Sequence, residues 1–207
     1  MKKYLFLLVL FSVVFSVSCG DAKKSNTNAK PAANAEVKKG VAPVADSEIA
    51  VIDTDFGQIK MELYSNIAPK AVARFKELAK EGYYNGIAFH RINQSVIQAG
   101  NADTKPGGQP SGMKEGDSGK PNVDAEFSDI PYDTGIVGAA RLGNDVNSAN
   151  SQFFIMLKRE RGFDNNYTVF GKVIDGMNTV MTISGVPRDG EKPNPPVRIK
   201  SVAIQPK

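Results

Sequence analysis

Polar groups with directed donors stand inside two otherwise apolar runs: Phe89 His90 Arg91 and, about sixty residues later, Ser151 Gln152 Phe153 Phe154 Ile155. Strand alternation puts Gln152, Phe154 and Met156 on one face and Phe153, Ile155 and Leu157 on the other, so both faces are apolar and one also carries an amide. A guanidinium beside an amide and aromatic rings suits a shallow apolar groove with few, directed donors. Other chemistries lack their parts. His90 is the sole histidine, Cys19 the sole cysteine, and no cluster has metal-ligand spacing. Ser/His/Asp catalysis, Cys/His catalysis and a histidine-based zinc site are therefore set aside, and no metal or cofactor is expected. A lone strand histidine is more often a hydrogen-bonded core group than a catalyst. Gly107 and Gly108 lack the Gly-Lys-Ser/Thr ending of a phosphate loop and read as turn residues.

The elements that must position these groups are short. Ile49 to Asp53 and Gly57 to Leu63, around Asp55 Phe56 Gly57, read as a β-hairpin. Pro69 suits a first helical turn, and Val72, Phe75, Leu78 and Ala79 recur at helical spacing until Gly82. Further strands are expected at Ile87 to Ile92, Val96 to Ala99, Thr134 to Ala140, Gln152 to Leu157, Val169 to Val173 and Val197 to Ile204. A short helix is expected from Met177 to Ile183, and a glycine- and proline-rich loop from Thr104 to Pro121. Many short strands with two helices indicate an all-β domain, and the pattern alone fits a barrel or a sandwich.

Arg91, Gln98 in Val96 Ile97 Gln98 Ala99 Gly100, the Gln152 to Ile155 run and Tyr167 Thr168 Val169 Phe170 Gly171 together resemble the cyclophilin family of peptidyl-prolyl cis-trans isomerases. The resemblance covers residues 48 to 207 and implies a closed eight-stranded antiparallel barrel capped by two α-helices, with the substrate groove on its outside. It implies that Arg91 donates to the prolyl nitrogen and that Gln98 orients it. Gln152 is then the amide that contacts substrate backbone, Phe154 the floor of the proline pocket, Phe163 its lining in place of a common leucine, and Tyr167 a wall where histidine is frequent. Ala140 and Arg141 would lie on an edge strand that pairs with the substrate. One stretch departs from the pattern: Asn93 Gln94 Ser95 Val96 stands where many members have Pro Gly Phe Met. The pocket phenylalanine is then Ser95 or Val96, and its loss would cost on the order of 1 to 3 kcal/mol of transition-state binding. No tryptophan occurs, so the indole tied to tight cyclosporin binding in some members is missing. The implied partner is an X-Pro segment of an unfolded or exported protein. The altered stretch leaves a second reading, a binding module, chaperone or surface adhesin with little turnover.

Lys2 and Lys3 precede an apolar run from Tyr4 to Val17 that is too short to span a bilayer as a mature helix and has the layout of an export signal. It ends in Ser16 Val17 Ser18 Cys19, which resembles a bacterial lipoprotein processing site. The expected organisation is a signal peptide over 1–18, a lipidated Cys19 with a flexible tether over 19–47, and a domain over 48–207, exported and held to the cell envelope by lipid. The tether has almost no large apolar side chain to offset chain entropy. Tether and signal lysines account for the formal charge of +4, leaving the domain balanced. The basic pI is thus no sign of a nucleic-acid surface. A monomer is expected.

Overall fold

The computed structural model describes residues 35–107 and 118–207. Its strands are β1 (Val37–Lys38), β2 (Glu48–Thr54), β3 (Gly57–Leu63), β4 (Arg91–Ile92), β5 (Val96–Ala99), β6 (Phe127–Ser128), β7 (Ile136–Ala139), β8 (Phe153–Met156), β9 (Thr168–Asp175), β10 (Arg188–Asp189), β11 (Lys192–Pro193) and β12 (Ile199–Pro206), with helices α1 (Pro69–Lys80) and α2 (Met177–Ser184). The export signal, Cys19 and part of the loop after Thr104 lie outside the described residues.

Eight strands form one antiparallel sheet in the order β12-β2-β3-β9-β7-β8-β5-β4. The expected closed barrel is corrected to an open half-barrel, because the terminal strands β12 and β4 share no ladder. The reason lies at β4, whose Ile92 N–H donates to the Glu191 carbonyl at 2.7 Å and so spends its outer edge on the β10–β11 hairpin. Among the described residues, these two ends of the sheet meet through the chain just before β4 and the chain leading into β12: Phe89 N–H donates to Val197 O, Ile199 N–H donates to Ile87 O, and Ala88 bridges Arg198. The strand expected from Ile87 is therefore irregular up to His90.

Helix α1 buries Ala71, Val72, Phe75, Leu78 and Ala79, the face its spacing predicts, against β12 and β9. Each large apolar side chain so buried stabilises the fold by roughly 1.5–3 kcal/mol. Phe75 meets Phe153 edge to face at 5.5 Å, tying the helix to the inner face of β8. The helix has no side-chain cap of its own, since Ala68 holds that position. Its orphan N–H groups at Lys70 and Ala71 instead donate to the two carboxylate oxygens of buried Glu126 at 3.1 and 3.0 Å. A negative group at this end also opposes the positive end of the helix dipole.

Strand alternation divides the apolar residues as β8 shows most simply. Phe153 and Ile155 enter the core inside the half-barrel with Ile52, Ile59 and Leu63, while Phe154 and Met156 join an outer cluster with Tyr132, Val96 and Val169. The folded body starts earlier than residue 48. Val37–Lys38 pairs in parallel with Phe127–Ser128, Asn66 exchanges side-chain bonds with Val44 N–H and Ala42 O, and Asp46 accepts from Lys76 at 2.7 Å. The expected tether is thus corrected over residues 37–47, where polar bonds supply what its composition lacks in apolar surface.

Candidate active site

Register across four neighbouring strands sets the site. Arg91 on β4 pairs with Gln98 on β5, Gln98 with Phe154 on β8, and Phe154 with Gly138 on β7. Directly paired residues project from the same face of a sheet, so one row across the outer surface carries a guanidinium, an amide, a ring and a gap. The gap is required. A Cβ at Gly138 would stand 2.4 Å from Phe154 Cζ and 2.8 Å from Tyr132 Oη.

Arg91, Val96, Gln98, Ala140, Arg141, Phe154, Phe163 and Tyr167 together line a cleft of about 170 Å³. These are the sequence-predicted site residues within the described chain, save Gln152, which adjoins them through Gln98. Gln98 Nε2 donates to Gln152 Oε1 at 3.0 Å, and Arg91 Nη1 donates to Gln98 Oε1 at a longer 3.4 Å. This polarity leaves each glutamine oriented by its neighbour. His90 sits behind the row as a mostly buried group. Burial lowers its pKa from the ordinary 6.5, while a hydrogen bond with the Gln152 side chain opposes that shift.

Four rings make the apolar wall. Phe163 and Tyr167 stack at 4.9 Å, and Phe154 meets them edge to face at 5.4 and 5.5 Å. Tyr132, which the sequence did not single out, supports Phe154 from below at 5.8 Å. The Arg141 guanidinium lies 4.7 Å over the Tyr167 ring and donates to the Leu142, Gly143 and Asn166 carbonyls. It braces the wall through cation–π attraction and loop bonds.

Two expectations change here. Ala140 and Arg141 are not on an edge strand: they follow β7, which is flanked by β9 and β8, and the Ala140 N–H already donates to Gln152 O at 2.9 Å. The choice between Ser95 and Val96 is resolved by the turn. Asn93 Oδ1 accepts from both Ser95 and Val96 N–H, which turns Ser95 Oγ toward Glu160 and leaves Val96 to line the cleft. A further residue escaped the sequence reading. Glu191, on the β10–β11 turn, accepts from Arg91 Nε at 2.6 Å and from Asn93 Nδ2 at 3.0 Å. The Arg91 guanidinium and the Asn93 amide hold its carboxyl below the usual range. Its separation from Arg91 by 100 positions leaves no local signal.

The family described as cyclophilin type peptidyl-prolyl cis-trans isomerase matches residues 49–204. A "probable peptidyl-prolyl cis-trans isomerase" of Brucella suis is 43% identical over 145 residues, covering 67% of this chain and 73% of that protein. A Schizosaccharomyces pombe peptidyl-prolyl cis-trans isomerase is 37% identical over 160 residues, covering 74% of this chain and 97% of its own. Among solved structures, a Cryptosporidium parvum cyclophilin type isomerase, crystallised in the presence of the dipeptide Ala-Pro, superposes with a TM-score of 0.68 at 30% identity. That match covers 77% of this chain and 99% of the other.

Proposed function

This chain belongs to the cyclophilin-type peptidyl-prolyl cis-trans isomerases, and from that premise we propose that Arg91 is the donor that drives the isomerisation of X-Pro bonds in its cleft. Rotation about a peptide bond is opposed by a resonance barrier of roughly 18–20 kcal/mol. A donor aimed at the prolyl nitrogen draws its lone pair out of conjugation, so the hydrogen bond is stronger in the twisted state than in either planar state, and only such differential binding lowers the barrier. The observation that carries this is the row Arg91, Gln98, Phe154, which sets an always-charged donor beside an apolar floor. The crystallisation of the Cryptosporidium relative with Ala-Pro supports a prolyl ring as the occupant of the apolar part. One preorganised donor supplies about 3–4 kcal/mol by analogy with oxyanion-hole donors. Gln98 and Gln152 orient donor and peptide, while Phe154, Phe163, Tyr167 and Val96 hold the ring. The test is the cis-trans exchange rate of an Ala-Pro peptide, which the protein should raise and Arg91→Ala should lower about 10²- to 10³-fold. Equal rates for the two proteins would refute the assignment.

The physiological setting belongs to the same proposal. Lys2 and Lys3, the apolar run to Val17 and the small residues before Cys19 support an exported protein, lipid-anchored through Cys19 and acting as a monomer on proline-limited folding of other exported chains. Cys19→Ser should release the protein from the membrane fraction and abolish labelling by radioactive palmitate. A variant that stays labelled and membrane-bound would refute the anchor.

A further inference from the structure

We propose that Glu191 is a positioning residue for the isomerase reaction, holding the Arg91 guanidinium by its Nε edge so that its terminal nitrogens face the cleft; this role rests on the assignment of Arg91 above. Arginine is a long side chain with many rotamers, and it is useful as an aimed donor only if something fixes it. Gln98, the partner the sequence identifies, lies 3.4 Å from Nη1, at the long limit for a hydrogen bond. Glu191 lies 2.6 Å from Nε. A short contact between two opposite charges outweighs a long one from the same guanidinium to a neutral amide, so the tighter grip on the guanidinium comes from Glu191. The point of attachment also matters. Bonding at Nε engages the inner nitrogen and leaves Nη2, and the remaining N–H of Nη1, for a reacting group.

The carboxylate is itself held from several sides. Its other oxygen accepts from Asn93 Nδ2 at 3.0 Å, and the Glu191 backbone carbonyl accepts from Ile92 N–H at 2.7 Å. Arg188, at the base of the same hairpin, donates to the Ile92 carbonyl at 3.3 Å. The turn is built to present this residue. Arg188 pairs with Pro193 and Asp189 with Lys192, so Gly190 and Glu191 are the two turn residues. Gly190 takes φ +62° at the first of them, as a type II′ turn requires, and places Glu191 second. The hairpin thus docks on the outer edge of β4 and delivers one carboxylate to the residue beside the docking point. Among the groups packed around it, Arg91 and Arg188 are the facing charges, and Asn93 is the neutral donor.

The test uses the full chain with Glu191→Ala and Glu191→Gln, and an X-Pro peptide as substrate. Misplacing a reacting group by about 1 Å costs on the order of 10²-fold in rate, and partial loosening should cost less. Glu191→Ala is expected to lower kcat roughly tenfold with KM unchanged, and Glu191→Gln, which keeps an acceptor for Nε without the charge, to recover most of that loss. In ¹⁵N-labelled protein the Arg91 Nε–H resonance should be slowly exchanging in the wild type and lost to solvent exchange in Glu191→Ala, whether or not substrate is present. An active wild type with unchanged kcat in Glu191→Ala, a rise in kcat, or a loss confined to KM would overturn the positioning role and leave the isomerase assignment standing. A wild-type protein that accelerates no X-Pro peptide would overturn the assignment and this role with it.

Discussion

Gly138→Ala adds one methyl group, and the geometry states where it must go. The new Cβ would lie 2.4 Å from Phe154 Cζ, 2.8 Å from Phe154 Cε2 and 2.8 Å from Tyr132 Oη. Ordinary carbon contacts are about 3.5–4.0 Å, so the ring must yield by roughly 1 Å. Phe154 is 2% exposed, and Tyr132, Phe163 and Tyr167 hold it on its other sides with centroids at 5.8, 5.4 and 5.5 Å. The direction with space is the cleft itself, so the floor of the pocket rises. Overpacking of this kind costs about 1–3 kcal/mol, and a domain of this size loses about 2–4 °C in Tm per kcal/mol. A Tm lowered by roughly 4–8 °C follows for a cost of about 2 kcal/mol. The pocket displacement of about 1 Å should lower kcat/KM on the order of 10²-fold. Thermal unfolding and peptide isomerisation of the same preparation measure both. Combining Gly138→Ala with Phe154→Ala separates the clash from any backbone effect, because removal of the ring should erase most of the penalty and give a coupling of about 1–3 kcal/mol. A Gly138→Ala protein with wild-type Tm and kcat/KM, or a strictly additive double variant, would show that the Phe154 ring does not depend on the gap at Gly138.

Two further outcomes follow from the scaffold and its one histidine. Glu126→Ala strips the N–H groups of Lys70 and Ala71 of their acceptors at the start of α1, and chemical denaturation should show a loss of about 1–2 kcal/mol, as for removal of a helix cap; an unchanged midpoint would contradict the capping role. Burial lowers the pKa of His90 below 6.5 in the folded protein, so the unfolded chain binds more protons in that interval. Stability should therefore be full above pH 6.5 and fall as the pH drops from there toward the depressed pKa, a slope that His90→Gln should remove in urea titrations at successive pH values.

What the sequence made legible is what strand and helix periodicity encode. Gln152, Phe154 and Met156 share a face, Phe153 and Ile155 take the other, and the α1 stripe from Val72 to Ala79 is buried as its spacing requires. Residues that are neighbours along a strand announce their faces. Contacts made across the fold carry no such mark. Glu126 caps a helix from 56 positions away, and Glu191 reaches Arg91 from 100. Tyr132 reads as one aromatic among several until register places it beneath Phe154. Residues 37–47 look like spacer because their hold on the domain is polar, through Asn66, Asp46 and Lys76, rather than apolar. Barrel closure fails for a related reason: which partner takes the outer edge of β4 is decided by the hairpin carrying Glu191, and strand patterns do not specify it.

If Arg91 acts on the twisted state of the prolyl bond rather than on its ground state, its removal must slow turnover without weakening peptide binding. Measuring kcat by NMR line-shape exchange, and peptide affinity by titration, in wild type and Arg91→Ala tests it most directly. The expected result is kcat lowered about 10²- to 10³-fold with affinity changed by less than about threefold. Retained kcat, or affinity lost in step with rate, would contradict it.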